Sequence, residues 1–313
     1  MLSEQETISS MSPTKKMTIP LTEPAEAAAP VLLSVVIPAF NEEQAIERTV
    51  AEVRDSLSPL AIDFDIIVVD DGSTDRTKEA AERSGARVLS RKDNRGYGAS
   101  LKRGIAAGNS TFVAIIDADG TYPASNLPRM LEMAHSADMV VGARDASMTN
   151  VPLIRRPAKY ILNNFANFLA RRKIPDLNSG LRVFRRSSLT GFLPLLPSGF
   201  SFTTTITLCM ICSDLVVEYV PIEYRKRIGK SSMRSTDFLK FLLLVVRAIV
   251  LFSPLRVFIP VGALLFAMGS AKLAYDVVIG NLSESAVLGL LGAIIIWSLG
   301  LLADMIARLY LRR

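Results

Sequence analysis

T-F-V-A-I-I-D-A-D-G-T-Y-P, from Thr111 to Pro123, joins a short apolar run to a pair of acids. Phe112 to Ile116 is β-branched in part and bounded by Gly108 and Asn109 before it and Gly120 after it. The run is too short for a helix and reads as a buried central strand. Asp117 and Asp119 follow two apart, so in an extended chain both carboxylates point the same way. Open α/β sheets bind their ligands at the carboxyl ends of strands. Two acids held there repel each other unless a cation joins them. A hard divalent ion with open positions, Mg²⁺ or Mn²⁺, is the natural occupant, sharing its shell with substrate phosphates. Taken alone, D-x-D is also compatible with a solvated turn.

Working outward, Leu32 to Ile37 is an apolar run closed by Pro38 and reads as a first strand. Asn41 is positioned to cap the following helix, with Glu42 and Glu43 in its first turn. Ile46, Val50, Val53 and Leu57 then form one apolar helical face. Asp65 to Val69 is a second strand running into D-D-G-S-T-D, where Ser73 or Thr74 caps a polar helix ending near Arg83. Ala86 to Leu89 is a third strand, and N-R-G-Y-G-A-S-L-K (Asn94 to Lys102) opens another helix. After the central strand come a helix over Asn126 to Ser136 and a strand over Met139 to Val141. Strands alternating with helices in this way specify an α/β fold, a mostly parallel sheet covered on both faces.

Composition limits the chemistry. The chain has 313 residues, one histidine and two cysteines. His135 reads as a surface residue. Cys209 and Cys212 form a C-x-x-C inside an apolar segment with no second pair for zinc, so they read as small buried hydrophobes. The net charge of +6 has its basic residues thickest between Arg144 and Arg247, which suits anionic lipid or phosphate. No nucleic-acid-binding module accompanies it, so no nucleic-acid partner is expected. Residues 1–30 are polar, rich in Ala, Pro and Glu, and aperiodic: a disordered tail without the pattern of a secretory signal.

The ordered set V-V-I-P-A-F-N-E-E, V-V-D-D-G-S-T-D, N-R-G-Y-G and D-A-D-G resembles the inverting family-2 glycosyltransferases of the GT-A fold, which is Rossmann-like. That resemblance implies that Pro38, Phe40, Glu42 and Asp70 or Asp71 hold the nucleotide of a sugar donor, with Asn94 and Gly96 lying in the glycine-containing loop beside it. It also implies that Asp117 and Asp119 hold a metal bridging the donor diphosphate. Four further stretches look like the polyprenyl-phosphate branch, which includes dolichol-phosphate mannosyltransferases and undecaprenyl-phosphate glucosyltransferases. They are G-A-R-D (142–145), N-S-G-L-R-V-F-R-R (178–186), S-G-F-S-F-T-T-T (198–205) and Y-R-K-R-I-G-K-S-S (224–232). By this likeness Arg144 and Arg155 lie near the acceptor phosphate and Arg227 near the donor. Asp176 is the one spare acid nominated as a base. Thr121 stands where many relatives have Gln after the metal acids, and Ser232 where many have Lys.

The C-terminal part changes character. Phe238 to Phe252 is apolar except for Lys240 and Arg247, seven apart on one helical stripe, as in a helix lying in the membrane interface. Val257 to Tyr275, interrupted by Lys272, and Ala286 to Ala303 read as two spanning helices. Lys272 lies near the end of its span, where a long side chain can snorkel. Gly262, Gly269, Gly289 and Gly292 permit close helix packing, within one chain or in a homo-oligomer. The connection carries acids and no Lys or Arg, whereas Arg247, Arg256, Arg308, Arg312 and Arg313 flank the spans. By the positive-inside rule the catalytic domain and both termini are cytoplasmic. The expected organisation is therefore a 1–30 tail, a 31–233 GT-A domain, a 234–253 interfacial helix and 254–313 as two transmembrane helices. The expected reaction is hexose transfer from a nucleotide-sugar to polyprenyl phosphate. A processive polysaccharide synthase, a transferase acting on another lipid and an inactive membrane scaffold are the rival readings.

Overall fold

The computed structural model describes residues 31–144, 167, 173–199, 201–227, 254–281 and 283–311. The expectations for the N-terminal tail, Arg155, Gly229 to Ser232 and the interfacial helix lie outside these residues.

Seven described strands form one sheet: β1 (Leu33–Ala39), β2 (Phe64–Asp70), β3 (Arg87–Ser90), β4 (Phe112–Ile115), β5 (Met139–Arg144), β6 (Arg182–Arg185) and β7 (Val217–Ile222). Their order is β3-β2-β1-β4-β6-β5-β7, parallel except for β6, which runs antiparallel to both neighbours. β1 is buried along its whole length. Its residues alternate between two cores, with Leu33, Val35 and Ile37 in one and Val36 in the other. β2 divides Ile66 and Val68 from Ile67 and Val69 in the same way. Apolar side chains at every position are what a strand covered on both faces requires.

Helices α1 (Ile46–Leu57), α2 (Thr77–Arg83) and α4 (Leu127–Ala134) pack in the first core, and α3 (Tyr97–Ala107) in the second. Leu189 of α5 (Arg186–Thr190) and much of α6 (Phe202–Cys212) join the second core. The predicted stripe Ile46, Val50, Val53 and Leu57 is fully buried. Cys209 is buried on α6 and Cys212 partly so, neither of them in a disulfide. His135 is exposed at the end of α4, its ring edge-on to Phe112 at 4.9 Å.

Three local expectations change. Pro38 continues β1 rather than ending it, pairing with Val69 of β2. The Val36 carbonyl accepts from the Ile116 N–H at 3.2 Å, and two residues on Pro38 faces the same side beyond the end of β4, so no ladder bond is lost. Asn41 caps no helix, because α1 starts at Ile46 with no side-chain cap. Instead Asn41 takes a left-handed backbone (φ 56°), and its Oδ1 accepts from the Thr74 N–H at 2.8 Å. Glu42 and Glu43 therefore sit in a loop, not in a first helical turn. Nor do Ser73 and Thr74 cap α2: the Thr77 N–H donates to Asp75 Oδ1 at 3.0 Å. Two loops thus bind each other where two helix caps were expected, and this fixes Glu42 at the rim.

Helices α7 (Leu255–Ile279) and α8 (Glu284–Leu311) form a hairpin. At 25 residues α7 is roughly 37 Å long, enough to cross a hydrocarbon core of about 30 Å. A Cβ on Gly269 would come within 2.9 Å of the Leu290 nitrogen, so Gly269, with Gly262 and Gly289, serves close packing within this chain, whereas a Cβ on Gly292 would meet nothing within 4 Å. At the turn, Asp276 pairs with Lys272 and accepts from the Ser283 N–H at 3.0 Å.

Candidate active site

The carboxyl ends of β1, β2, β4, β5 and β7 open on one rim, and antiparallel β6 starts there. The loop entering β6 and the one leaving β7 therefore meet the three acidic loops.

On the β2 side, Asp70 and Asp71 are buried and engaged with the protein itself. Asp70 accepts from the Ser73 N–H at 3.1 Å and from the Ser90 hydroxyl at 2.7 Å. Asp71 Oδ2 accepts from the N–H groups of Arg95 and Gly96 at 3.1 and 2.7 Å, with Arg91 3.5 Å from its other oxygen. These acids shape the loop carrying Asn94 and Gly96. Gly96 has φ +97°, and a Cβ there would lie 2.8 Å from the Ser198 carbonyl oxygen. Asn94 is exposed, and Phe40 leaves 37% of its surface open just past β1.

At the end of β4, Asp117 Oδ1 accepts from the Tyr97 hydroxyl at 2.8 Å. Its other oxygen presses on Gly180, where an added Cβ would meet it at 2.1 Å, so only glycine fits. Asp119 Oδ1 accepts from the Thr121 N–H at 3.1 Å and hydroxyl at 2.6 Å. Thr121 thus orients Asp119. Among the described residues no cluster of three His, Cys, Asp or Glu is arranged to hold a metal.

Arg227 spans the acids: Nη2 lies 2.5 Å from Glu42 Oε1, and Nη1 3.2 Å from Asp119 Oδ2. Its Nε is buried without a hydrogen-bond partner among the described residues. One guanidinium thus pairs with two carboxylates, and Asp117 beside them is held by Tyr97 instead. Burial pushes Glu42 up to about 7 despite Arg227, with Asp119 and Asp117 adding repulsion. Burial and then Asp119 push Asp117 up to about 6, against the Tyr97 hydrogen bond and the two arginines. Burial is the main reason these carboxylates hold their protons, with their mutual repulsion adding to it, and a cation bound between them would offset both. Hard oxygen donors in an electron-rich cleft fit Mg²⁺ or Mn²⁺, with Asp117 and Asp119 as the protein ligands and a substrate diphosphate filling the shell.

The neighbouring arrangement is complete. Arg144 at the end of β5 meets Asp176 through Nε at 2.6 Å and Nη2 at 2.9 Å, and its backbone N–H donates to the same carboxylate at 3.2 Å. The Tyr224 ring lies 5.2 Å from the guanidinium carbon, and Tyr122 stands edge-on to Tyr224 at 5.3 Å. Burial alone would lift Asp176, but the Arg144 hydrogen bonds and charge hold it below the usual carboxylate range. A carboxylate so committed is a poor proton acceptor, so the geometry argues against Asp176 as a base and for it as the clamp on Arg144. Arg186, by contrast, grips the Ser110 and Ile105 carbonyls at 2.5 and 2.8 Å, at the opposite rim, where β4 begins and β6 ends.

Three contributors escape sequence reasoning: Tyr97, Tyr122 and Tyr224, each of which holds a charged group or its loop. All three stand inside quoted stretches, yet an aromatic residue beside glycine, threonine or arginine does not itself signal a contact with a distant charged group or loop.

A family model described as Glycosyl transferase family 2 matches residues 34–192, and one described as GtrB C-terminal hairpin matches residues 253–309. The chain is 33% identical over 211 residues to the low-salt glycan biosynthesis hexosyltransferase Agl6 of Haloferax volcanii, covering 65% of this chain and 50% of that protein. It is 31% identical over 203 residues to the dolichyl-phosphate hexose transferase of the same organism, covering 64% of this chain and 86% of that one. The chain thus spans half the length of the first relative and most of the second. Glucosyl-3-phosphoglycerate synthase from Mycobacterium tuberculosis, solved with Mn²⁺, UDP-glucose and phosphoglyceric acid, matches with TM-score 0.54 and 25% identity, over 69% of this chain and 79% of that one.

Proposed function

The chain belongs to glycosyl transferase family 2, and we propose that it transfers a hexose from a UDP-glucose- or GDP-mannose-class donor to a polyprenyl phosphate, with inversion. One observation carries the reading: a cation-hungry acid cluster and a clamped arginine lie on the same rim, joined through the Gly180 loop. A donor diphosphate with its metal suits the first, and an anionic acceptor suits the second. The dolichyl-phosphate hexose transferase and the matched hairpin point the same way.

In this reading Pro38, Phe40 and Glu42 border the nucleotide, and Asp70 and Asp71 shape its pocket through the 94–96 loop. Arg227, whose Nε–H has no partner among the described residues, brings a donor to a diphosphate oxygen. Bound at Asp117 and Asp119, Mg²⁺ or Mn²⁺ supplies charge that stabilises the departing nucleoside diphosphate. Arg144, with Arg155, receives the acceptor phosphate and offsets its repulsion from the donor. A phosphate monoester has a second pKa of about 6 and is largely dianionic at neutral pH, so its oxygen attacks the anomeric carbon without a protein base. That removes the need for a base at Asp176. An acceptor with a free hydroxyl would lack this advantage.

The hairpin anchors the chain in a membrane with the catalytic domain and both termini cytoplasmic. A cysteine placed at Ser201 is then expected to resist impermeant thiol reagents until cells are opened, and labelling of intact spheroplasts would reverse the orientation.

The deciding experiment gives full-length protein in detergent radiolabelled UDP- and GDP-sugars with undecaprenyl phosphate or an unphosphorylated polyprenol. The expected product is a single sugar on the phosphorylated lipid only. A long glycan, or equal use of the free alcohol, overturns the reading.

A further inference from the structure

Arg182 at the start of β6 is among the largest fully buried side chains. No carboxylate among the described residues forms an ion pair with it. Its partners are neutral: Nε donates to the Ser179 carbonyl at 2.8 Å, Nη2 to the Leu177 carbonyl at 2.9 Å, and Nη1 to the Thr207 hydroxyl at 2.6 Å. Burying a guanidinium costs several kcal/mol before its hydrogen bonds offset the loss, and apolar side chains often fill such positions at equal or better stability. Core filling therefore gives no reason for arginine here.

The two carbonyls give one. In a trans peptide the C=O and the next N–H point in opposite directions. Drawing the Leu177 and Ser179 carbonyls inward turns the N–H groups of Asn178 and Gly180 outward, towards the rim. Both are used there. The Asn178 N–H donates to Asp176 Oδ1 at 3.0 Å, and the Gly180 N–H donates to the Tyr122 hydroxyl oxygen at 2.8 Å. Asp176 grips the Arg144 guanidinium from one side, while Tyr122 backs Tyr224, whose ring lies under it. Two separate routes lead from the buried arginine to the one at the rim.

We propose that Arg182 is a positioning residue for Arg144, setting the 177–180 peptides so that Asp176 and the Tyr122–Tyr224 pair hold that guanidinium in register for the acceptor. The anchor at the far end is Thr207 on α6, so the second core is tied to the acceptor side of the site. The choice of the acceptor as the affected substrate rests on the reading of Arg144 given above.

The test is a double-mutant cycle on the full chain in detergent, with undecaprenyl phosphate as acceptor and whichever of UDP-glucose and GDP-mannose it turns over as donor. Arg182→Met is expected to raise the acceptor KM about tenfold, since small displacements of a positioning group are costly, and to leave the donor KM within about twofold. Arg182→Lys, which retains one or two of the donors, recovers part of the loss. Combined with Arg144→Ala, Arg182→Met adds nothing further, because the group it positions is already gone. Acceptor and donor KM rising together, or effects that multiply in the double variant, would overturn the proposal. Should Arg182→Met not fold, Tyr122→Phe takes its place in the cycle, as it removes only the hydroxyl that receives the Gly180 N–H, and the same criterion applies. If Arg144→Ala leaves the acceptor KM unchanged, the reading of Arg144 fails. The cycle then still judges the positioning role in whichever parameter Arg144 does govern.

Discussion

Two arrangements of charge share the rim and differ in completeness. Of Glu42, Asp117 and Asp119, two are ion-paired with Arg227, which keeps one nitrogen without a hydrogen-bond partner among the described residues. Arg144 has a carboxylate to itself in a two-pronged contact and an aromatic ring beneath it. The first is built to change on binding, since a cation and a diphosphate together satisfy what Arg227 alone does not. The second is built to stay as it is, so that an anion meets a guanidinium already oriented. Preorganisation of this kind lowers the cost of bringing two anions together. On the reading proposed above, the incomplete side takes the donor and its metal and the complete side takes the acceptor.

The strongest way to break that assignment is Asp119→Asn. A neutral amide is a much poorer ligand for a hard cation, and we expect turnover to fall by at least about 100-fold with the fold retained. Titrating Mn²⁺ into variant and wild type checks it; near-normal activity in EDTA-stripped wild type would remove the metal from the donor side. Arg144→Ala comes next. It removes a charge-assisted contact to the acceptor phosphate worth about 2–3 kcal/mol, or about 30–150-fold in acceptor kcat/KM, and separately costs stability by leaving Asp176 without its partner. A loss that appears in the donor KM instead would reverse the two sides.

How much of this was legible follows the kind of signal each part carries. The strands β1, β2 and β4 are predominantly apolar and punctuated by Pro, Gly and acids, so their existence and their shared rim can be read directly. The acids at Asp117 and Asp119 sit at a strand end, where spacing alone sets their direction. β6 left no such trace: Arg182–Arg185 begins and ends with arginine, and nothing in R-V-F-R announces that the first of them is wholly buried. Its antiparallel insertion between β4 and β5 is a tertiary fact without a local pattern. Capping was misread at Asn41 and Ser73 for a related reason. Both residue types bind backbone amides wherever a loop offers them, and here the amides belonged to each other's loops. The Arg144–Asp176 clamp joins residues 32 apart, a distance over which sequence spacing carries no geometry.

Arg227 sharpens the comparison at a smaller scale. Arg227→Ala is expected to cut kcat about tenfold, the worth of one charge-assisted contact, while membrane association persists through the hairpin. Arg227→Lys recovers only part, because a point charge cannot reach Glu42 or Asp119 and a diphosphate in the manner of a planar fork. Initial rates and a salt-wash of membranes measure both. Full activity in Arg227→Lys, together with salt-induced release of Arg227→Ala, would make Arg227 a lipid contact and leave the acid cluster without its donor-side arginine.

The smallest effect is on stability against pH, and it separates the two sides without any substrate. In the metal-free protein Glu42 is raised from 4.5 to about 7 and Asp117 from 3.8 to about 6. Within those windows the folded chain keeps protons that the unfolded chain has released, so the unfolded state is favoured as pH rises. The destabilisation begins as the pH passes the ordinary carboxylate values and is complete above the raised ones. Asp176 has the opposite sign, its lowered value giving stability that is lost only as the solution becomes more acid. Thermal melts of EDTA-treated protein should therefore weaken between about pH 5 and pH 7.5. Added Mn²⁺ should restore more at the upper end, where it no longer competes with protons. Glu42→Gln removes one of the two titrating groups and is expected to flatten the slope by a part, whereas Asp176→Asn should lower the melt across the range and leave that slope in place. Equal slopes in Glu42→Gln and wild type would mean that Arg227 already neutralises the cluster, and the contrast between an incomplete donor side and a complete acceptor side would fall.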